Sequence, residues 1–233
     1  MLGRKLVIGG GVLAAFGVLV WALERRKQGL GRVVGVEKRN GMTVKHHRGA
    51  MDIKERAGLI QDLVWDSVKN PEMRQLALAI TGEGRRQVQV RDRVFDVQGA
   101  NCPARDGMCE AKAVYNWVRK NVRYAGDIAP IKQGRRGVVE GVDYFAAADR
   151  VVQFGAEDCD GHSILNATLL ALNGIPAKLR ITAPGRFREW SHIYTVAGMP
   201  KTAPKKWVAL DTTLPGEYFG VEAPHGRVRD FDA

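Results

Sequence analysis

Cysteine is scarce here, with three residues in a chain of 233. A sparse, odd set excludes a disulfide scaffold. Cys102 and Cys109 stand close enough in sequence to pair, which leaves Cys159 free; the simpler reading is two unpaired thiols near a helix start. No second ligand pair stands at zinc spacing, so no metal is expected. No carboxylate run of the EF-hand type calls for calcium, and no cofactor is expected. Acidic residues are also in deficit, 25 against 36 Lys and Arg, for a net charge of +11. Such an excess suits nucleic acid or an anionic surface. Its placement argues against nucleic acid. Eight basic residues against two acidic ones lie between Glu24 and Arg48, more than half of the excess. What remains is only mildly basic.

That basic cluster follows Leu6 to Leu23, an uncharged run of 18 residues preceded by Arg4 and Lys5. About 18 apolar residues suffice to span a bilayer. Trp21 fits an interfacial anchor, and the basic flank reads as a stop-transfer signal rather than a signal-peptide cleavage site. Residues 1–27 are therefore expected to be a transmembrane or apolar anchor helix. Contact of the basic flank with anionic lipid head groups follows, with solvated linker charge as the plainer alternative. The denser positive charge on the C-terminal side favours a cytoplasmic main domain, while Arg4 and Lys5 on the other side leave the orientation open.

Residues 28–50, basic and without apolar periodicity, read as a linker. From Asp52, a capping residue, Ile53, Ala57, Ile60, Val64 and Val68 recur at helical spacing. Asn70-Pro71 breaks that helix, and Met73, Leu76, Ala77 and Ile80 carry a second one to Gly82. Residues 51–105 thus form a helical hairpin followed by a stretch over Gln87 to Val97 that alternates in part and reads as a strand or an extended arm. Residues 106–233 form the main domain. A helix runs from Met108 to Asn121. The long Asp127 to Gly141 loop is a candidate substrate rim. Asp143 to Phe154 is helical in part. Three strands follow, over 177–183, 190–196 and 205–212, whose short connections predict an antiparallel meander. The tail from Pro215 wraps the surface.

The chemistry centres on Gly155-Ala156-Glu157-Asp158-Cys159-Asp160-Gly161-His162. Cys159 falls at the first turn of an apolar helix that stops at Asn173-Gly174-Ile175-Pro176. A helix N-terminus carries partial positive charge and favours a thiolate. A cysteine nucleophile also needs a base and a group that orients the base. His192 and Asp211, each in a strand-like run, supply them in the order Cys, His, Asp. Taken singly, each has a bland explanation: a buried cysteine, a core histidine, a turn-capping aspartate. Asp158 and Asp160 oppose thiolate formation. His162, one helical turn past the cysteine, is the weaker candidate base.

Five pieces in this order resemble the transglutaminase-like superfamily of papain-related thiol enzymes: Val114-Tyr115-Asn116-Trp117-Val118 with Asn121-Val122-Arg123-Tyr124, Glu157-Asp158-Cys159-Asp160-Gly161-His162, Asn173-Gly174-Ile175-Pro176-Ala177, Ser191-His192-Ile193-Tyr194 and Leu210-Asp211-Thr212. The nearest resemblance is to transglutaminase-like proteins of bacteriophages and prophages. It implies an α+β papain-like, transglutaminase-core fold, with the nucleophile helix packed on an antiparallel sheet. It also implies a Cys159–His192–Asp211 triad and a protein or peptide substrate, peptidoglycan peptides included. Three readings follow: a membrane- or virion-associated thiol peptidase or amidase, a non-catalytic component assembled with phage structural proteins or an envelope complex, and a protein-crosslinking acyltransferase.

Overall fold

The computed structural model describes residues 32–39, 42–48, 52–125, 142–143, 145–185, 189–216 and 218–233. The apolar N-terminal run and the whole of the candidate substrate-rim loop lie outside them. Among the described residues no helix is long and apolar enough to cross a membrane.

In chain order the elements are β1 Arg32–Arg39, β2 Met42–Arg48, α1 Ile53–Val68, α2 Pro71–Thr81, β3 Arg85–Val90, β4 Arg93–Gln98, α3 Gly107–Asn121, β5 Arg123–Tyr124, β6 Val142–Asp143, α4 Ala148–Phe154, β7 Ala156–Glu157, α5 Cys159–Leu172, β8 Ala177–Ala183, β9 His192–Met199, β10 Lys206–Leu210 and β11 Arg227–Asp232.

The centre of the molecule is α5. Ile164, Leu165, Ala167, Thr168, Leu169 and Leu170 are each fully buried. A helix apolar on nearly all sides must be covered on all sides. Here α1, α2, α3 and α4 pack around it, with β8 and β9 against a further face. Each buried Leu or Ile contributes about 1.5–3 kcal/mol by leaving water. The covering sheet is antiparallel in the order β10-β9-β8-β11. This is an α+β fold with the nucleophile-candidate helix on an antiparallel sheet.

The α1–α2 pair forms as its caps dictate. Asp52 accepts from the Lys54 N–H while Glu55 reaches back to the Asp52 N–H, a capping box. Asn70 caps α2 with Pro71 at its first turn. This pair is no appendage, because its buried faces share one apolar core with α3, α5 and the sheet.

Four expectations need correction. The stretch read as an unstructured linker contains the antiparallel β1–β2 hairpin, extended by β6. Its signal was the Asn-Gly pair between the partnered Arg39 and Met42, a strong short-range hairpin signature that apolar periodicity does not reveal. The extended arm is a second hairpin, β3–β4, burying Val88, Val90, Phe95 and Val97. The tail ends in a fourth sheet strand, β11, antiparallel to β8. Its charged residues hide the alternation that marks a strand.

Cys102 and Cys109 are paired rather than free, with Cα atoms 5.6 Å apart. Backbone bonds from Ala100, Asn101 and Cys102 to the end of α2 pin one cysteine. Asp106, capping α3 through the Cys109 N–H, pins the other.

Candidate active site

The site is built on the turn from α4 into α5. α4 ends at Gly155, whose φ of 67° is left-handed, and a Cβ there would meet the Arg93 guanidinium at 2.6 Å. β7 then pairs in parallel with β5, which aligns the chain for α5. Asp158 is the N-cap and accepts from the N–H groups of Asp160 (2.9 Å) and Gly161 (3.1 Å). Glu157 folds over Gly161, where any Cβ would come within 2.7 Å of its side chain. Cys159 is the first residue of α5, a half-buried free thiol.

The helix terminus does not favour a resting thiolate as the sequence suggested. Burial pushes the Cys159 thiol upward, and Asp160 and Asp158 add to the shift. The Ile193 backbone N–H and the Arg56 charge oppose it without prevailing. The physical reason is visible in the cap. Asp158 spends two N–H groups of the terminus on its own carboxylate and brings a negative charge beside the sulfur. The thiol therefore rests protonated, and its activation depends on a base.

His192 opens β9, the strand that packs against α5. Its Nε2 lies 2.8 Å from Asp211 Oδ2. Asp211, just beyond β10, is fully buried. Its other oxygen, Oδ1, accepts from the Thr213 O–H (2.6 Å) and N–H (3.2 Å). A carboxylate locked in this way fixes the imidazole and its tautomer, leaving Nδ1 as the free nitrogen. The structure thus brings His192 and Asp211 into direct contact and sets Cys159 beside the same strand.

His162 lies elsewhere. It is 1 % exposed, and its Nδ1 meets Thr212 Oγ1 at 2.8 Å. Burial holds its pKa down at about 4, against the pull of the Arg123 carbonyl and Asp211. Asn166, one turn further along α5, donates to the same Thr212 oxygen (2.9 Å) and to the Leu210 carbonyl (3.3 Å). Two polar side chains of α5 thereby moor the strand end that carries Asp211.

Several contributors were not anticipated. Arg56 of α1 donates to the buried Asp160 at 2.7 Å, so the helical hairpin supplies the cation that offsets one awkward carboxylate. Nothing local in the sequence marks that pairing. Asn166 was detectable in principle, as a side-chain amide inside an apolar helix. Glu157, beside the cap, has its pKa raised to about 7, by burial first and Asp158 second.

A family model of the transglutaminase-like superfamily core matches residues 96–212. The chain belongs to the transglutaminase-like superfamily. Its α5 on the β8–β10 sheet is the core of that papain-like fold. Among solved structures it is similar to a candidate cysteine protease from Cytophaga hutchinsonii, with 14% identity, a TM-score of 0.38, and coverage of 76% of this chain and 56% of that one. It is also similar to a candidate protease from Parabacteroides distasonis, with 12% identity, a TM-score of 0.40, and coverage of 84% and 40%. The chain thus spans little more than half of the first of these proteins and two fifths of the second. No curated protein matches it. The superfamily core begins at residue 96, whereas α1, which supplies Arg56, precedes it.

Proposed function

We propose that the chain is a thiol-dependent enzyme that cleaves amide bonds, a peptidase or amidase, with Cys159 as nucleophile, His192 as base and Asp211 as orienting carboxylate. The observation that carries this reading is the 2.8 Å bond to the fully buried Asp211 from His192, on the strand against which the helix opened by Cys159 packs.

Because the thiol rests protonated, His192 removes its proton as the sulfur attacks the amide carbonyl. The Cys159 backbone N–H, which the Asp158 cap leaves unused, is the candidate donor to the developing oxyanion. The tetrahedral intermediate collapses to a thioester as the imidazolium hands its proton to the leaving amine. Water then attacks the thioester. His192 takes a proton from that water and returns it to the departing sulfur, which yields the free acid and the original thiol. A primary amine in place of water gives a crosslink instead.

On its N-terminal sequence we further place the chain at a membrane or in a virion, with a protein or peptide as substrate. Carbonate extraction of cell membranes checks the first: retention of the full chain in the membrane fraction supports it, and release into the wash rejects it.

The decisive experiment incubates the full chain with mixed peptides, with and without a primary amine, and follows Cys159 and the products by mass spectrometry. The expected result is an acyl adduct on Cys159 and cleaved peptides, abolished in Cys159→Ala. Asp211→Asn should lower turnover by roughly three to four orders of magnitude, as loss of the orienting carboxylate does in other triads. Amine-capped products without hydrolysis favour the crosslinker. Absence of any adduct, with Cys159→Ala indistinguishable in assembly, favours the non-catalytic reading and ends this one.

A further inference from the structure

Strand alternation puts His192 and Tyr194 on one face of β9. Their rings lie together, centroids 5.5 Å apart and planes tilted by 34°. That separation is within the range of direct aromatic contact. Tyr194 is itself buried, and its O–H donates to Glu222 Oε2 at 2.8 Å. Burial first, and the Glu222 hydrogen bond second, hold the phenol protonated, so it stays a donor.

Glu222 is held in turn. Its other oxygen accepts from Arg180 Nη1 at 2.7 Å. Arg180 stands directly opposite Tyr194 on β8 and opposite Asp230 on β11. It makes a two-pronged bond to that aspartate, at 2.8 and 2.7 Å. A continuous row therefore runs from Asp230 through Arg180 and Glu222 to the Tyr194 hydroxyl. The Tyr194 ring then closes against the imidazole. Charged bonds in a paired fork are the stiff kind. Asp211 fixes one nitrogen of His192 but leaves the ring free to swing about that bond. The face of Tyr194 supplies the missing restraint.

We propose that Tyr194, clamped by Glu222 and Arg180, is a positioning residue for His192, which makes the segment beyond residue 212 a working part of the site. This rests on the reading of His192 as the base for Cys159. Glu222 and Asp230 lie past the end of the superfamily match at residue 212. The restraint is thus supplied from outside the recognisable core.

The test is the rate of Cys159 alkylation by iodoacetamide between pH 5 and 9, read by mass spectrometry on the full chain in detergent. In the unaltered protein a rate limb that disappears in His192→Ala reports the thiol–imidazole pair. Tyr194→Leu should lower the rate on that limb about tenfold, part of the roughly 10²–10⁴-fold that a well-placed base contributes. Tyr194→Phe keeps the ring but releases it from Glu222, and should lower the rate about threefold. Glu222→Ala should match it, and the double variant should be no worse than either single, because both break one coupled unit. Thermal unfolding of Tyr194→Phe identifies a merely structural effect, which lowers the melting temperature and leaves the limb in place. An unchanged limb in Tyr194→Leu or Tyr194→Phe, or additive losses in the double variant, overturns the clamp alone. Absence of a His192-dependent limb in the unaltered protein overturns the proposed function, and the clamp with it.

Discussion

Arg56, on α1, donates a 2.7 Å hydrogen bond to Asp160, the residue after Cys159 and 104 positions away in sequence. Asp160 is 3% exposed and Arg56 28%. A buried carboxylate that loses its cation is costly, although here one edge of the cation meets water. Arg56→Gln should therefore destabilise the fold by about 2 kcal/mol, below the full value for a wholly buried pair. Urea unfolding measures it. The same variant should move the onset of Cys159 alkylation to higher pH, because Arg56 is one of the two influences that favour the thiolate. An unmoved onset would show that its charge does not reach the sulfur.

Glu157 predicts a pH dependence of stability. Its pKa is raised from 4.5 to about 7 by burial. The stability linked to the bound proton is fully present below 4.5 and is lost as pH rises through about 7. One pH unit is about 1.4 kcal/mol, so the total is on the order of 3 kcal/mol. Glu157→Gln has the same shape and no charge. It should be more stable than the parent above pH 7 and indistinguishable from it at pH 4, in urea midpoints taken across that range.

His162 slopes the other way. Its pKa is depressed from 6.5 to about 4, with burial the main cause. The stability linked to the neutral ring is present above 6.5 and is lost as pH falls through about 4. His162→Gln should flatten that loss. Between about 4.5 and 6.5 the two groups oppose each other, so the parent protein should look nearly flat there. The single variants should reveal slopes of opposite sign. A parent slope equal to that of either variant contradicts the assignment.

The Cys102–Cys109 bond closes a short loop across a sequence separation of 7. Loop-closure entropy for a ring of that size is about 2 kcal/mol. Unfolding with a reductant present should cost about that much. Thiol counting on the native, unreduced chain should find one reactive group, Cys159. Three reactive thiols without reductant would contradict the pairing.

What could be read from the sequence was what repeats locally. The apolar spacing and caps of α1 and α2, the long apolar run of α5 and the alternation of β8 each carry their own signal within a dozen residues. Cys159, His192 and Asp211 stood out as candidates because each sits at the start or end of such an element. The pairing of Arg56 with Asp160 and of Tyr194 with Glu222 was not, because an ion pair or a phenol bond across the fold leaves no local pattern. β11 was hidden for the opposite reason. Its charged residues fall on both faces, Asp230 bonding to Arg180 and Arg227 stacking on Trp190, rather than filling a core. The activation of the thiol was misjudged because a helix terminus attracts anions only while its N–H groups are unspent, and Asp158 spends two of them.

β11 covers one side of β8 along six paired positions, from Arg227 opposite Ala183 to Asp232 opposite Lys178. The recognisable superfamily span stops fifteen residues short of it. A chain ended at residue 212 would keep every residue of the proposed triad and yet leave β8 as a bare edge, its backbone donors and acceptors open to the edge of a neighbouring copy. Such a fragment is prone to join with itself before it can do chemistry. In the full chain β11 takes that edge position, and its Arg227, Arg229, Asp230 and Asp232 make it a charged edge, the kind that discourages further pairing.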